Sequence, residues 1–322
     1  MLTYHKYIVI LLSLALFSCV DSPSPQEDIE VPGQNQTTDP ADTENPKETD
    51  PGQTNPDPDD LEIVPPVEDD GANKIGDDTS FEFATWNLRE FPKANNETIS
   101  TVAGHILNWD LDVVAVQEIL SDKAFSDLVK ALPGYEGKLI NNDDFMKTGL
   151  IYKSNTLKVN RQEVLYLPTE SRAFPRDPLL VNTSFLPTGE SIDFIVVHLK
   201  AKSGTSNVER RTLANAALVK YTDSLLENNP DRKIVILGDF NSDLLASEMD
   251  FWRESEFTYE IETTPLKSAN KISYYTNFKS LIDHIVTVNF SVDEMLIPEP
   301  LVPLSKYESV VSDHFPVIAI DE

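Results

Sequence analysis

The stretch Lys233-Ile-Val-Ile-Leu-Gly-Asp-Phe-Asn-Ser242 decides the fold of this chain, because it joins a buried strand to a polar strand end. Its apolar run from Ile234 to Leu237 is rich in β-branched side chains, which is typical of a strand buried on both faces. After Gly238, the alternate residues Asp239 and Asn241 point to the same side, so a carboxylate and a carboxamide converge. A strand that ends in an ordinary Asx turn, without a functional site, would have the same sequence. The rest of the chain separates the two interpretations.

Apolar runs and helical periodicities alternate through residues 79–322, which are enough for one large domain with a substantial core. Short apolar runs predict strands at residues 81–86, 113–116, 150–152, 179–185, 192–199, 234–237, 273–276, 281–288 and 314–320. Apolar residues at helical spacing predict helices at residues 96–109, 125–132 and 208–226. Several connections are too short for a crossover helix. The pattern therefore predicts an α/β (α+β) domain with mixed sheets.

Buried-looking strands on this chain end repeatedly in polar side chains that a hydrophobic core does not need. These ends are Asn87, Gln117-Glu118, His198, Asp239 with Asn241, Asp283, and Asp313-His314. Carboxylate and amide oxygens gathered at one sheet edge are the ligands of a hard divalent cation such as Mg²⁺, and histidines beside them can transfer protons near neutral pH. One cysteine and the absence of a paired-histidine spacing argue against a structural zinc site.

The segments that carry these residues resemble, in order, the motifs of the endonuclease/exonuclease/phosphatase superfamily. They are Thr85-Trp-Asn87-Leu, Val116-Gln-Glu118, His198-Leu-Lys, Gly238-Asp-Phe-Asn241, Ile282-Asp-His-Ile285 and Ser312-Asp-His-Phe-Pro316. Each motif alone is weak, but six in order across residues 81–320 are specific. The His198-Leu-Lys-Ala-Lys stretch followed by Arg210-Arg211 is most similar to secreted, deoxyribonuclease I-like nucleases. The resemblance implies a four-layer sandwich of two mixed β-sheets flanked by helices.

The resemblance also implies a metal site with Mg²⁺ as the cofactor and Mn²⁺ as a possible substitute. Glu118 is expected to be the principal ligand, with Asn87 and Asp313 in support, and Asn87 is also expected to contact substrate. Asp239 and Asn241 are expected to orient the attacking water, or to bind a second ion.

Proton transfer and phosphate contact are expected from two histidines and an arginine. By the same resemblance, His314 pairs with Asp283, His198 contacts the scissile phosphate, and Arg176 binds a phosphate oxygen. The segment before the strand at 150–152 departs from the superfamily pattern, because it lacks the usual Tyr or Glu. Asp144 is the candidate that remains for orienting His198.

Residues 1–19 are typical of a bacterial lipoprotein signal peptide. An apolar run from Tyr7 to Phe17 is too short to span a bilayer, and Leu16-Phe17-Ser18-Cys19 resembles a lipoprotein cleavage box that ends at the lipidated cysteine. A plain secretory signal with an incidental Cys19 is the alternative. The sequence thus predicts a lipid anchor in the outer membrane, with the domain on its periplasmic or cell-surface face.

Residues 20–78 read as a disordered tether. They hold 18 acidic residues against two lysines, ten of the 22 prolines and no aromatic residue. Such a segment buries too little apolar surface to offset its ordering entropy. Removing the tether's charge of −16 and the +1 of Lys6 from the chain's −28 leaves −13 on residues 79–322. Long-range attraction therefore cannot be the main way in which this domain holds a polyanion.

Three functions remain open from the sequence. The leading one is a metal-dependent phosphodiesterase that cuts DNA or RNA outside the cytoplasm, as a monomer. The second hydrolyses a phospholipid head group or an inositol phosphate, which the acidic domain and the membrane tether favour. The third, a non-catalytic binding lipoprotein, conflicts with the complete set of acidic and histidine positions.

Four further residues are interpreted from their local pattern. His105 is expected to be exposed or packed at a helix edge, and His284 to be packed in its strand and not catalytic. Arg210 and Arg211 are expected either on a solvated helix face or in a phosphate-facing patch with Lys200 and Lys202.

Overall fold

The computed structural model describes residues 73–77, 79–167 and 173–322. The expected signal peptide, Cys19 and most of the expected tether lie outside the described residues. The strands are β1 (Phe81–Phe91), β2 (Val113–Ile119), β3 (Tyr135–Leu139), β4 (Lys147–Lys153), β5 (Leu157–Val164), β6 (Leu179–Phe185), β7 (Ser191–His198), β8 (Lys233–Asp239), β9 (Glu260–Ile261), β10 (Asp283–Val288), β11 (Glu294–Leu296) and β12 (Val317–Asp321). The helices are α1 (Asn96–Trp109), α2 (Asp122–Lys130), α3 (Thr205–Asn228), α4 (Asp250–Glu254), α5 (Thr264–Ser268) and α6 (Leu304–Val310).

Two six-stranded sheets form the centre of the domain. The first has the order β11-β12-β1-β2-β4-β3, and the second has the order β5-β6-β7-β8-β10-β9. In the first sheet β1 and β2 run parallel, and in the second β7 and β8 do. The other neighbouring pairs are antiparallel, so both sheets are mixed.

Three apolar clusters separate four layers of secondary structure. One lies between α1, α2 and the outer face of the first sheet, and a second lies between the two sheets. The third lies between the second sheet and α3. Because β1, β2, β7 and β8 have apolar neighbours on both faces, their sequences are continuous apolar runs and not alternating ones. The four-layer sandwich is therefore confirmed.

Most predicted elements are confirmed, with ends that differ from the predicted ones by a few residues. The helix predicted at 96–109 coincides with α1, and the strand predicted at 179–185 coincides with β6. The strand predicted at 273–276 is wrong. Tyr274 makes only isolated bridges to Ser280 and His314, so this segment is one side of a tight hairpin.

A short segment from the expected tether packs on the domain. The backbone N–H groups of Ile75 and Gly76 donate to the carbonyl of Trp109 at 3.2 and 2.9 Å, and Lys74 Nζ pairs with Asp110 at 2.9 Å. Ile75 packs against the cluster beneath α1. Among the described residues, no helix is both long and apolar enough to cross a membrane.

Candidate active site

The predicted polar strand ends meet at one edge of the sandwich. Asn87 and Glu118 lie at the carboxyl ends of the parallel strands β1 and β2, and His198 and Asp239 end the parallel strands β7 and β8. Two further residues join them from antiparallel neighbours. Asp283 begins β10 directly opposite Asp239, and His314 lies just before β12, which pairs with β1.

Gly238 permits the close approach of β7 and β8 at this edge. A Cβ atom at Gly238 would lie 1.9 Å from the carbonyl oxygen of Val197. No side chain fits there, so the glycine before Asp239 brings His198 and Asp239 into direct register.

Asn87 connects the two sheets across the site. Its Nδ2 donates to Glu118 Oε1 at 3.2 Å and to Asp239 Oδ2 at 3.1 Å. The second oxygen of Glu118 accepts from the backbone N–H of Glu90 at 3.0 Å. Glu118 has a φ of 63°, a left-handed conformation that is uncommon for a side chain of this size and that turns its carboxylate toward the site.

Asp283 and His314 form a buried ion pair. His314 Nδ1 donates to Asp283 Oδ2 at 2.8 Å, and both side chains are almost fully enclosed. Burial alone would lower the pKa of His314, but the charge of Asp283 and its hydrogen bond outweigh burial and raise that pKa to about 10. Because Nδ1 is held by Asp283, the opposite nitrogen of a protonated His314 remains a donor toward the site.

The backbone around His314 is fixed by buried side chains. The hydroxyl of Tyr307 and the indole N–H of Trp86 donate to the His314 carbonyl at 2.7 and 3.3 Å. Ser312 Oγ donates to the carbonyl of Asn87 at 2.6 Å and accepts from the His314 N–H at 3.0 Å. Tyr307 was not singled out from the sequence, because no local pattern distinguishes it from a core tyrosine.

Asp239 lies between the two histidines. One ligand atom from each of Asp239, Asp283 and His314 falls within 4.8 Å of the others, while His198 Nε2 is 3.5 Å from Asp239 Oδ2. Burial, followed by the charge of Asp283, raises the pKa of Asp239 to about 7. Asp239 therefore holds a proton far more readily than an ordinary aspartate does.

His198 is uncharged, whereas His314 is protonated. Burial, with Arg176 and His314 nearby, lowers the pKa of His198 well below its ordinary range, so His198 is neutral at neutral pH. Its Nε2 faces Glu118 and Asp239, and its buried Nδ1 has no partner among the described residues. The expectation that Asp144 orients His198 is wrong, since Asp144 Oδ2 accepts instead from Asn142 and from the backbone N–H of Asp177.

The acidic groups of the site suit a divalent cation. Glu118, Asp239 and Asp283 converge in a largely buried space, and within the described part of the chain the buried Asp283 Oδ1 has no hydrogen-bond partner. The raised pKa of Asp239 reports the same excess of buried negative charge. Protonated His314 is a poor metal ligand, so Glu118 with Asn87 and Asp239 is the better donor set than Asp239, Asp283 and His314. Asp313 is ion-paired with Arg89 at 3.0 Å.

The segment after His198 is braced by side chains from three directions. Arg176 and Asn241 both donate to the carbonyl of Leu199, at 3.0 and 3.3 Å. Arg211 donates to the carbonyls of Lys200 and Lys202, each at 3.0 Å. Asn241 also turns its backbone N–H to Asp239 Oδ1 at 2.8 Å. Arg176 Nε is buried and has no partner among the described residues, so it can donate to a ligand.

Arg211 corrects one expectation from the sequence. It is buried, and it binds Glu248 and Ser242 at 3.0 Å, so it belongs neither to a solvated helix face nor to a phosphate-facing patch. Arg210 remains close enough to Lys200 and Arg176 to act on the pKa of each.

The other two described histidines are structural. His284 is fully buried between the hydroxyl of Thr263 and the carbonyl of Ser242, as expected for a packed residue. His105 was expected to be exposed or packed at a helix edge, but it is buried, because its ring fills a space among Trp86, Trp109 and Tyr307.

Solved structures share this fold. An endonuclease/exonuclease/phosphatase from Bacteroides vulgatus superposes with a TM-score of 0.59 at 22% identity, over 76% of this chain and 99% of that one. The catalytic domain of human Nocturnin superposes with a TM-score of 0.60 at 17% identity, over 75% of this chain and 93% of that one. A mannosyl-6-phosphatase from Bacteroides thetaiotaomicron superposes with a TM-score of 0.58 at 19% identity, over 75% of this chain and 100% of that one. At such identities the likeness establishes the fold alone.

Sequence comparison supplies the family. No curated protein sequence matches the chain. A family profile described as the endonuclease/exonuclease/phosphatase family matches residues 79–256, which is more than half of the chain. Members of this family hydrolyse phosphate esters and generally depend on a divalent metal. This chain therefore belongs to the endonuclease/exonuclease/phosphatase family and is a phosphate ester hydrolase.

Proposed function

We propose that the protein is a magnesium-dependent phosphodiesterase that hydrolyses nucleic acid outside the cytoplasm. The observation that carries the proposal is the pair of buried histidines on either side of Asp239, of which His314 is ion-paired with Asp283 at 2.8 Å. Hydrolysis of a phosphodiester needs a group that accepts a proton from water and a positive donor for the transferring phosphoryl oxygens. The site holds both kinds of group within one enclosed space.

Each side chain has a separate task in this proposal. Asp239, which lies between the two histidines, accepts the proton of the attacking water, and Asn241 helps to place that water. As the bond between phosphorus and the leaving oxygen breaks, protonated His314, held by Asp283, gives its proton to that oxygen. Neutral His198 and Arg176 Nε, which has no partner among the described residues, donate hydrogen bonds to the phosphoryl oxygens. Glu118 and Asn87 would hold the magnesium ion, which supplies positive charge to the phosphate when it is bound.

The test compares substrates and metals on the full protein solubilised in detergent. Single-stranded DNA, plasmid, RNA, sphingomyelin and inositol phosphates are each incubated with Mg²⁺, with Mn²⁺ or with EDTA. We expect cleavage of nucleic acid with Mg²⁺ and its loss in EDTA. Glu118→Gln keeps the shape of the side chain and removes its charge, so it should raise the Mg²⁺ concentration needed for half-maximal rate. Normal turnover of this variant at limiting Mg²⁺ contradicts the metal assignment.

Location is a separate part of the proposal. The sequence up to Cys19 supports lipid anchoring of a monomeric domain to the outer membrane, because acylated anchors with more than one chain bind membranes stably. Cys19→Ser should move the protein from the membrane fraction to the soluble fraction, or block its maturation. Unchanged membrane fractionation would leave an ordinary signal peptide as the explanation.

A phosphate ester other than nucleic acid is the second candidate. The net charge of −13 on residues 79–322 disfavours a long polyanion and favours a small ester such as a phospholipid head group or an inositol phosphate. The similarity of fold to a mannosyl-6-phosphatase adds sugar phosphates to this candidate. Hydrolysis of these esters without cleavage of DNA or RNA would replace the first proposal by this one.

A further inference from the structure

An aromatic pair borders the candidate site on the side of His314. The ring of Tyr274 lies 5.0 Å from the ring of His314 between centroids, and the ring of Phe278 lies 5.0 Å from that of Tyr274. Tyr274 is half-buried, whereas Phe278 is 61% exposed. Single exposed apolar side chains are ordinary on a protein surface, so it is the position of these two rings beside His314, and not their exposure, that points to a ligand. None of the groups discussed so far covers Phe278.

The pair is attached rigidly to the catalytic residues. Tyr274 and Ser280 exchange backbone hydrogen bonds of 2.9 and 3.0 Å, which close a hairpin with Phe278 near its tip. One side of this hairpin bridges to His314, and the other runs into Asp283. At the base of the hairpin, the hydroxyl of Ser273 accepts from the N–H of Asp283 at 3.1 Å. Tyr274 therefore keeps a set distance from the Asp283–His314 pair, and Phe278 lies beside it.

We propose that Tyr274 and Phe278 form a stacking surface for one nucleobase next to the scissile phosphate. This inference rests on the proposed function and names the part of the substrate that the hairpin recognises. Two neighbouring rings offer an aromatic area suited to one base, and stacking does not depend on the identity of the base. The tilt of 49° between the rings leaves the more exposed ring, Phe278, as the main contact.

The net charge of the domain favours a contact that does not depend on charge. With −13 on residues 79–322, the domain cannot hold a nucleic acid strand by general attraction to phosphates. Stacking is largely independent of that charge, so an aromatic contact compensates for it. A sugar ring would instead need hydrogen bonds to its hydroxyls. Asn277 at the hairpin tip already donates its amide to the Tyr274 hydroxyl at 3.0 Å.

The experiment measures whether hydrolysis depends on the neighbouring base. A short single-stranded DNA carries one cleavable phosphodiester, with methylphosphonate links elsewhere, and an abasic residue replaces the nucleoside on one side or the other. For the wild-type protein we expect kcat/KM to fall roughly 5- to 100-fold when the base is removed on one side only. Phe278→Ala should bring this ratio close to one, and Phe278→Trp should retain it. Leu186→Ala is the matched control, because it removes an exposed apolar side chain from the β6–β7 turn at the opposite end of the strands.

A binding measurement separates this proposal from the proposed function. A 2-aminopurine nucleotide, whose fluorescence falls on stacking, is titrated onto each protein in EDTA, where no turnover is expected. Quenching that is lost in Phe278→Ala supports the stacking surface even if DNA proves not to be cleaved. Cleavage of DNA with the same base dependence in wild type and Phe278→Ala overturns the stacking surface and leaves the proposed function intact. A loss of mannose 6-phosphate hydrolysis in Phe278→Ala, without any effect of the base, also overturns it.

Discussion

The two histidines of the site show how neighbours decide the chemistry of one side-chain type. His314 holds its proton because Asp283 lies 2.8 Å away, whereas His198 is equally buried but has two carboxylates only at 3.5 and 3.7 Å. A buried histidine without a close carboxylate avoids the cost of desolvating a charge by staying neutral. The same residue type therefore supplies both a charged and an uncharged ring within one site.

A double-mutant cycle tests whether Asp283 and His314 act as one unit. Asp283→Asn leaves a poorly charged and poorly oriented ring, so the further change His314→Ala should cost little beyond the first loss, which is on the order of 10²–10⁴ in kcat. Additive losses would contradict the pairing. The same cycle with His198→Ala in place of Asp283→Asn should be closer to additive. Deviation there would show that Asp239, which faces both rings, couples them.

The sequence predicts which residues reach the site better than it predicts their partners. Motif positions such as Asn87 and Asp239 lie 152 residues apart and still meet, because each ends a recognisable buried strand. Partners depend on side-chain geometry across the two sheets, which no local pattern records. For this reason the assignment of Asp144 to His198 is wrong, and the brace from Tyr307 to His314 was missed.

At the scale of elements, long periodic segments are predictable and short edge segments are not. The helix α1 and the strand β6 carry enough apolar side chains in register to determine their type. By contrast, β9 and β11 contain two and three residues, and α4 and α5 five each. Such pieces form because the surrounding structure holds them, since local propensity over so few residues is too weak.

Gly238 gives a prediction about the pairing of β7 with β8. Gly238→Ala should lower the free energy of unfolding by at least about 2 kcal/mol, because its Cβ would lie 1.9 Å from the carbonyl oxygen of Val197. It should also lower kcat, since any shift between these strands separates His198 from Asp239. Urea denaturation and steady-state kinetics measure the two effects. Gly104→Ala, in the middle of α1 with nothing within 4 Å, is the control and should stabilise by about 0.5–1 kcal/mol. Equal stability of both variants would refute the steric argument.

His105 gives a prediction about acid stability. Its Nδ1 donates to the carbonyl of Thr101 at 2.7 Å and its Nε2 accepts from the N–H of Leu301 at 3.0 Å, so the folded protein needs the neutral ring. Burial lowers its pKa from 6.5 to about 4. The unfolded chain therefore binds a proton that the folded chain does not. This stabilisation is complete above pH 6.5 and is lost as the pH falls toward 4.

The effect is measurable by urea denaturation of wild type and His105→Gln at pH 7.5 and pH 5. The free energy of unfolding of wild type should fall by about 2 kcal/mol more than that of the variant between these two pH values. This follows because each unit of pKa difference between the folded and unfolded states corresponds to about 1.36 kcal/mol. The comparison with the variant removes the contributions of the carboxylates, which are common to both proteins. Parallel losses in the two proteins would mean that His105 titrates normally.

At the scale of the molecule, we expect the segment before β1 to stabilise the folded domain and to take no part in catalysis. A protein that begins at residue 79 lacks the hydrogen bonds of Ile75 and Gly76 to Trp109, the packing of Ile75 and the ion pair of Lys74. We expect its free energy of unfolding to be about 1–2 kcal/mol lower than that of a protein that begins at residue 73. Its turnover should be unchanged. Thermal denaturation and turnover of the two proteins decide the question. A large loss of turnover on removal of residues 73–78 would place this segment in the working part of the enzyme.

The pairing of β1 with β12 also has a consequence for biosynthesis. Asn87 and Ser312, which share a hydrogen bond, are separated by 225 residues. One side of the site is therefore synthesised early in the translation of this domain and the other side late. Until the segment with Asp313 and His314 has emerged, β1 has β2 as a neighbour but lacks β12, and Asp283 lacks the ring that balances its charge. A nascent chain is therefore catalytically silent. A hydrolase directed at nucleic acid would then be harmless to the messenger that encodes it for nearly the whole of its synthesis.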